Sequence, residues 1–390
     1  MTGAPPRVLA LTHVFPRAVT DPSAPFLLTW ARALADAGAD VGVIAPHDAR
    51  LPGRHEVAGV PVRLARYAPP RWERIAYRGE MHQLVRRASG PPLIGALLGA
   101  LARVVRQEVR RGRPDVLHVH WWVPGAIAAR LARVDVPTVL TLHGTDVALL
   151  EARPRAIALA RWALAACDRV ETVSVDLADR LERTTGRVAD AVNPMPLDPA
   201  WLAVPPPPVS FAPVEGPFTV LAAGRMVPEK GFADLVDAVA GMAEPVARLV
   251  LVGDGPERER LAARAAHAGV EAVLPGRLSP EALRAAYGSV SLVVQPSHRE
   301  GLGLVAAEAA CAGTPVVATD SGGARDVLGA DGLVPVGDVG ALRAALASVA
   351  ADPAAARERS ALVAVRVRER LSPAATAART LDGYRALTAG

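Results

Sequence analysis

Of the 44 Lys and Arg side chains in this sequence, one is a lysine, Lys230. A chain that uses Arg so consistently for positive charge keeps an ammonium where a compact, strongly hydrated cation is wanted. Lys230 closes the segment Gly224-Arg225-Met226-Val227-Pro228-Glu229-Lys230, between an apolar run and a helical pattern opening at Gly231. A guanidinium and an ammonium beside a helix N-terminus suit a diphosphate. A second group is Glu300-Gly301-Leu302-Gly303-Leu304, followed by Glu308. Its glycines let backbone N–H groups approach an anion closely. Glu308 falls in the first turns of the next helix, where a carboxylate can accept from a ribose diol, and Glu300 precedes that helix, free to reach a sugar. Gly253-Asp254-Gly255-Pro256 and Ser321-Gly322-Gly323 also close apolar runs. Each reads equally as a plain turn and as an edge of the same site. His118 and His120 alternate with Val119 ahead of Trp121-Trp122. In a strand both imidazoles face one side, and this strand end is expected to wall an acceptor pocket, with either Trp stacking on a ligand or lying in the core. A His pair without Cys or carboxylate at ligand spacing does not point to a metal.

The elements that must hold these residues alternate along the chain. Val8–Leu11, Val41–Ala45, Val116–Val119, Val139–Leu142 and Val170–Val173 are short, β-branched and bounded by polar residues or Gly and Pro, which predicts buried strands. Helical patterns such as Pro25–Ala37 and Pro154–Ala166 lie between them. The stretch Asn193–Pro217 is Pro-rich and reads as a semi-rigid linker. Alternation then restarts with strands at Thr219–Ala222, Arg248–Val252, Val290–Val294, Val316–Ala318 and Leu333–Val336, and helices at Gly231–Gly241 and Pro256–Ala268. The expected fold is α/β: two doubly wound Rossmann-like domains with an interdomain cleft, ligands binding at the carboxyl ends of the strands. The expected boundaries are 1–200, 201–372 and a C-terminal helix, 373–390, packing back on the first domain.

The composition, 51% hydrophobic and 21% charged, is that of a globular chain. Cys167 and Cys311 lie in Ala-rich segments with no disulfide or metal spacing, which suits a reducing compartment. Arg7–Leu11 enters a strand pattern where a signal segment would stand, and the apolar stretch Pro91–Leu101 is shorter than the ~20 residues of a membrane span. A cytoplasmic protein is expected. Charge is uneven: residues 1–200 carry +7 and residues 201–390 carry −2. Twelve Arg between Arg63 and Arg113 face only Glu73, Glu80 and Glu108. A basic first half suits an anionic acceptor or an anionic membrane surface, and equally a solvated Arg-rich face. Leu93, Ile94, Leu97, Leu98 and Leu101 have the spacing of an amphipathic helix, either for peripheral contact at the inner face of a cell membrane or for the core. No stacking aromatics interleave the Arg run and no recognition helix is evident, so nucleic acid is not an expected partner.

The second half resembles the large retaining glycosyltransferase family 4, of the GT-B fold. The resemblance is carried by Gly224-Arg225 with Glu229-Lys230-Gly231, Gly253-Asp254-Gly255-Pro256, Pro296-Ser297, Glu300 with Glu308, and Gly313-Thr314-Pro315-Val316-Val317. It implies that Arg225 and Lys230 clamp a donor diphosphate, that Glu300 contacts the donor sugar, that Glu308 holds the ribose, and that Gly253, Gly301, Leu302, Gly303 and Leu304 line the donor site. The Leu274–Leu278 loop, with Leu278, would lie near the base. The first half is similar in His13-Val14-Phe15-Pro16 and in His143-Gly144-Thr145-Asp146, where the family's His lies near the transferred sugar. Many members of that family place a Gly-Gly turn in the first loop; here Asp21-Pro22-Ser23-Ala24-Pro25-Phe26 stands.

The expected activity is transfer of a hexose-type sugar from a nucleotide-diphosphate donor, of UDP or GDP type, to a hydroxyl of a glycan, a lipid-linked or a small-molecule acceptor. Arg225, Lys230, Glu300 and His143 are the expected catalytic residues. The two cations and the glycine-loop N–H groups stabilise the leaving diphosphate without a metal or other cofactor. His143 positions the sugar and stabilises oxocarbenium character. A nucleotide-sugar epimerase and a non-catalytic nucleotide-sugar binder are the alternatives. A nicotinamide dehydrogenase is disfavoured, because no Gly-x-Gly-x-x-Gly opens the first βα unit.

Overall fold

The computed structural model describes residues 5–73, 75–77, 90–203, 218–243, 248–330 and 332–388. The chain forms two compact units: Met1–Pro196 together with Pro373–Gly390, and Leu197–Ser372. The division thus falls between residues 196 and 197, rather than at 200. Residues 204–217 of the Pro-rich stretch lie outside the described residues, as do Arg74, Arg78, Glu80, Arg86 and Arg87 of the basic segment.

Among the described residues the first unit is built on eight strands: β1 (Arg7–Leu11), β2 (Asp40–Pro46), β3 (Arg54–Val57), β4 (Val60–Ala65), β5 (Val116–His120), β6 (Thr138–Leu142), β7 (Arg169–Thr172) and β8 (Ala191–Val192). Their order is β3-β4-β2-β1-β5-β6-β7-β8. All neighbours are parallel except the β3–β4 hairpin. Every residue of β5 and β6 is buried, as expected where helices cover both faces of a parallel sheet. The helix Gly90–Gly112 buries Leu97 and Leu101, so the apolar stripe noted in the sequence packs into the core at these two positions. Among the described residues no helix is long and apolar enough to cross a membrane.

The helix Pro373–Thr388 completes this first unit through buried polar contacts. Asn193 Nδ2 donates to Thr380 Oγ1 at 3.0 Å, and the Tyr384 hydroxyl lies 2.6 Å from His118 Nδ1.

Among the described residues the second unit has six parallel strands: β9 (Thr219–Ala223), β10 (Arg248–Val252), β11 (Ala272–Gly276), β12 (Leu292–Gln295), β13 (Val316–Thr319) and β14 (Leu333–Val334), in the order β11-β10-β9-β12-β13-β14. One correction concerns Leu274–Leu278, read as a loop: Ala272–Gly276 is an edge strand, and only Arg277 and Leu278 follow it. Pro275 is tolerated there because an edge strand has one side free of ladder bonds. Successive β9 residues enter opposite clusters. Val220 packs with Leu249, Leu251 and Leu292, and Leu221 with Val250, Val252 and Val293. Each such fully buried side chain contributes about 1.5–3 kcal/mol.

From β9 the chain moves outward to β10 and β11, then returns to place β12 on the other side of β9. The turns that leave β9 and β12 therefore diverge from neighbouring strand ends, which is where open α/β sheets form crevices. Here the two turns meet backbone to backbone. Gly231 has φ +62°, and a β-carbon on it would lie 1.9 Å from the Pro296 carbonyl oxygen. Next to them, a β-carbon on Gly253 would lie 1.8 Å from the Gly224 carbonyl oxygen. The glycines of both motifs are thus required by close packing of the turns themselves.

Gly231→Ala is expected to destabilise the second unit by about 2–5 kcal/mol, combining left-handed strain with overpacking. Gly269→Ala, also left-handed (φ +70°) but with open space around its β-carbon, should cost only about 1–2 kcal/mol. Denaturant midpoints of the two variants check this; equal losses would mean that the turns do not interlock.

Candidate functional site

Lys230 and Glu300 come together at the β9–β12 edge. Lys230 Nζ is 2.7 Å from Glu300 Oε2, and their side chains are 24% and 18% exposed. Ser297 Oγ donates to the same carboxylate oxygen at 3.2 Å, and the Gly301 N–H donates to Glu300 Oε1 at 3.3 Å. The Glu300 backbone N–H is bound to Ser321 O at 2.9 Å, and His298 N–H to Glu229 O at 2.9 Å. A partly buried ion pair adds little net stability, because desolvation offsets much of its attraction; its significance is that a cation and a carboxylate 70 positions apart in sequence are held at one point. Arg225, by contrast, is exposed, and among the described residues its guanidinium has no ion-pair partner. The Lys230 stem passes 3.8 Å from where a β-carbon of Gly224 would be.

The glycine loop leads into the helix Leu304–Cys311. Gly303 caps it in the left-handed conformation and offers no side chain to its first turn. Gln295 Oε1 accepts from the Ala306 N–H at 3.0 Å. Leu302 is 7% exposed, so it can present only backbone to a ligand. Glu308 lies beneath, with the Tyr287 hydroxyl 3.5 Å from its Oε2. Burial raises the Glu308 carboxyl to about 8; the Tyr287 hydrogen bond opposes this and Asp198 adds to it. Leu278 packs on the cluster that contains Tyr287 and Trp201, so it shares this neighbourhood. Ser297 was visible in the sequence as part of Pro296-Ser297; Tyr287, 21 positions from Glu308 on another helix, carried no signal. Gly253 and Gly255 serve the backbone packing of the Gly224 turn.

In the first unit, a cluster of rings sits at the carboxyl ends of β1, β5 and β6. His143 lies against Trp121 with ring centroids 4.2 Å apart, and against Phe26 at 5.4 Å. His120 Nδ1 is 3.1 Å from His143 Nε2. The Asp146 carboxylate accepts from the backbone N–H groups of His143, Gly144 and Val147 at 3.3, 2.9 and 3.0 Å, which shapes the turn that presents His143. Burial raises Asp146 to about 6 against these bonds. Burial also lowers His13 to about 4. His143 falls well below its usual range through burial, then through His120 and His13. These imidazoles are therefore neutral at neutral pH. Trp121 has φ +64°, a strained value for a bulky residue.

The structure overturns one expectation here, the pocket wall, and decides between the two readings of Trp122. His118 and His120 were expected to wall a pocket, but they are 0% and 1% exposed. His118 is bound on both ring nitrogens, by Tyr384 and by Thr141. Trp122, 2% exposed, is core, and its indole N–H donates to Asp146 O at 3.0 Å. The unusual first loop is fixed by charge: the Arg17 guanidinium binds Asp21 at 2.5 Å and Asp48 at 2.7 Å. Burial alone would raise Asp21; hydrogen bonds from Arg17 and Ser23 bring it down to about 2. Among the described residues, no three His, Cys, Asp or Glu side chains are placed to hold a metal ion.

Known proteins share this architecture. The model for glycosyl transferases group 1 matches residues 208–363, and that for glycosyltransferase family 4 matches residues 24–196. The 2-deoxystreptamine N-acetyl-D-glucosaminyltransferase of Streptomyces fradiae is 34% identical over 92% of this chain and 89% of its own length. A D-inositol 3-phosphate glycosyltransferase of Xylanimonas cellulosilytica is 34% identical over 60% of this chain and 63% of its own. Among solved structures, sucrose-phosphate synthase from Thermosynechococcus elongatus superposes with a TM-score of 0.80 at 22% identity, covering 98% of this chain and 99% of that one. Anabaena HepE, solved with UDP and glucose, superposes with a TM-score of 0.73 at 19% identity, covering 97% and 99%.

The raised Glu308 carboxyl makes stability depend on pH. Folded, it keeps its proton up to about 8; unfolded, it loses it near 4.5. Between those values the folded state binds the extra proton, so this contribution falls as pH rises and levels off above about 8. Glu308→Gln should remove that part of the slope. Denaturant midpoints of the two proteins from pH 5 to 8.5 test it; a wild-type-to-variant difference that stays constant with pH would contradict it.

Proposed function

The chain belongs to the glycosyltransferases of the GT-B fold, and from that premise we propose that it is a retaining enzyme of family 4, moving a hexose-type sugar from a nucleotide-diphosphate donor of UDP or GDP type to an acceptor hydroxyl. The observation that carries this reading is the 2.7 Å contact between Lys230 and Glu300 at the β9–β12 strand ends. Without a donor, Glu300 neutralises the ammonium. A bound diphosphate supplies its own negative charge to Lys230 and Arg225, which releases the Glu300 carboxylate toward the sugar. Breaking the anomeric C–O bond then leaves charge on the diphosphate. The two cations and the N–H groups of Gly301, Gly303 and Leu304 stabilise that charge where it develops. Glu308 accepts from the ribose hydroxyls, Leu278 lies by the base, and His143 positions the sugar. The acceptor attacks from the face the diphosphate leaves, and the leaving phosphate takes its proton. No metal or other cofactor enters this scheme.

Relatives support the nucleotide-sugar donor and a small acceptor. Anabaena HepE is solved with UDP and with UDP-glucose. The relatives named for 2-deoxystreptamine and for D-inositol 3-phosphate are named for hydroxylated six-membered carbocycles. We therefore place a small cyclic polyol first among acceptors, ahead of glycan and lipid-linked ones. The site uses soluble substrates, consistent with a cytoplasmic enzyme; contact with an anionic membrane has no part in it.

A binding-shift panel of UDP, GDP and ADP sugars should select one donor. Product from that donor and a cyclic-polyol acceptor should keep the donor's anomeric configuration by NMR. Lys230→Ala should lower transfer by about two orders of magnitude, as for loss of one charge-stabilising donor. Near-normal turnover in that variant would remove Lys230 from the site, and a new sugar isomer formed from donor alone would replace transfer with epimerisation.

A further inference from the structure

We infer that His120 is a positioning residue: it fixes the tautomer of His143, so that His143 presents an Nδ1–H donor to an oxygen of the bound sugar. The identity of that ligand rests on the function proposed above; the tautomer does not. His120 Nδ1 and His143 Nε2 are 3.1 Å apart, and a neutral imidazole is a donor at one nitrogen and an acceptor at the other. Burial, then His118 and His13, keep His120 neutral. Two arrangements remain. If His143 donates, His120 accepts at Nδ1 and must carry its own proton on Nε2. If His120 donates, its Nε2 is a bare lone pair and the proton of His143 sits on Nδ1.

The surroundings separate these cases. Among the described residues, His120 Nε2 is buried with no hydrogen-bond partner. A buried N–H without an acceptor is rarer in proteins than an under-used acceptor. Trp30 stands perpendicular to the His120 ring, with centroids 4.7 Å apart, and among the described residues its indole N–H is already buried without an acceptor. A proton on His120 Nε2 would add a second orphaned donor to the same neighbourhood; a lone pair there adds none. His120 therefore donates and His143 accepts at Nε2.

The remaining nitrogen of His143 then carries the proton. It is absent from the buried, unpartnered atoms, unlike His13 Nδ1 and His120 Nε2, and His143 is only half-buried. Its Nδ1 is thus the ring atom open to a ligand. Trp121 and Phe26 hold the plane of the ring. Asp146, the nearby carboxylate, is bound to backbone N–H groups, so it does not draw the imidazole proton to the other nitrogen. His143 acts as a fixed hydrogen-bond donor, and the group that complements it is an acceptor oxygen.

The test is two-bond ¹H–¹⁵N correlation on histidine-labelled full-length protein from pH 6 to 8, with His143→Gln and His120→Asn to assign the signals. The expected result is His143 as the neutral Nδ1–H tautomer throughout. In His120→Asn the side-chain amide keeps a donor near the ring Nδ1 position, so the tautomer and most of the transfer activity should persist. In His120→Leu the signals should move toward a tautomer mixture, and kcat with UDP-glucose or GDP-mannose, whichever the wild type turns over, should fall about tenfold with UDP or GDP affinity unchanged. An Nε2–H signature for His143 in the wild type overturns the inference, as does a His120→Leu variant with unaltered tautomer and turnover. Should His120→Leu fail to fold, the wild-type spectrum and the Asn variant decide. Failure of every nucleotide sugar to bind would sink the proposed function while leaving the tautomer readable.

Discussion

The carbonyl oxygen of Pro296 occupies the place where residue 231 would carry its β-carbon, were it anything but glycine. That contact joins the turn leaving β9 to the turn leaving β12. Lys230 sits one residue before the contact and Glu300 four residues after it, so the backbone determines their meeting before any charge acts. The ion pair is a consequence of the packing: a partly solvated pair gains too little over its desolvation and side-chain entropy to pull two turns together. The glycines around it have the same logic. Gly323 has no room for a β-carbon beside the Gly301 carbonyl oxygen, which it would approach to 2.3 Å. The glycine loop is therefore clamped from outside, and its N–H groups are fixed in direction before a ligand arrives.

Much of this was legible in the sequence because parallel strands announce themselves. Apolar β-branched runs such as Val139–Leu142 and Arg248–Val252 appear within a residue of their observed ends. The hairpin Arg54–Val57 with Val60–Ala65 escaped notice because its first strand, at the sheet edge, is mostly polar and only partly covered. The short strands Ala191–Val192 and Ala272–Gly276 were missed for a related reason: edge strands need no continuous apolar run. At the site, Lys230, Glu300 and Glu308 stood out by residue type and spacing. The partners that tune them did not. Tyr287 beside Glu308 and Gln295 at the Ala306 N–H are brought in by tertiary packing, which local spacing does not encode. His118 and His120 were misplaced because a period of two says which side of a strand a residue faces, not whether that side is covered. Here Trp30 and Tyr384 cover it.

The ring cluster of the first unit has a distinct electrostatic character. Four imidazoles, His13, His118, His120 and His143, lie within a few ångströms of one another or of shared Trp rings. Burial holds each below its ordinary range. A cation there would be both desolvated and next to other rings competing for the same proton. The cluster therefore offers dipoles and flat surfaces rather than charge, in contrast with the charged turn of the second unit.

The helix Pro373–Thr388 belongs to the first unit, although residues 197–372 intervene as a unit of their own. During synthesis the ribosome must deliver that entire inserted body before Tyr384 can reach His118 or Thr380 can reach Asn193. The body encoded second can thus mature first, while the earlier-made sheet waits with part of its surface uncovered. A chain cut short within residues 197–372 therefore lacks the helix that finishes its first unit.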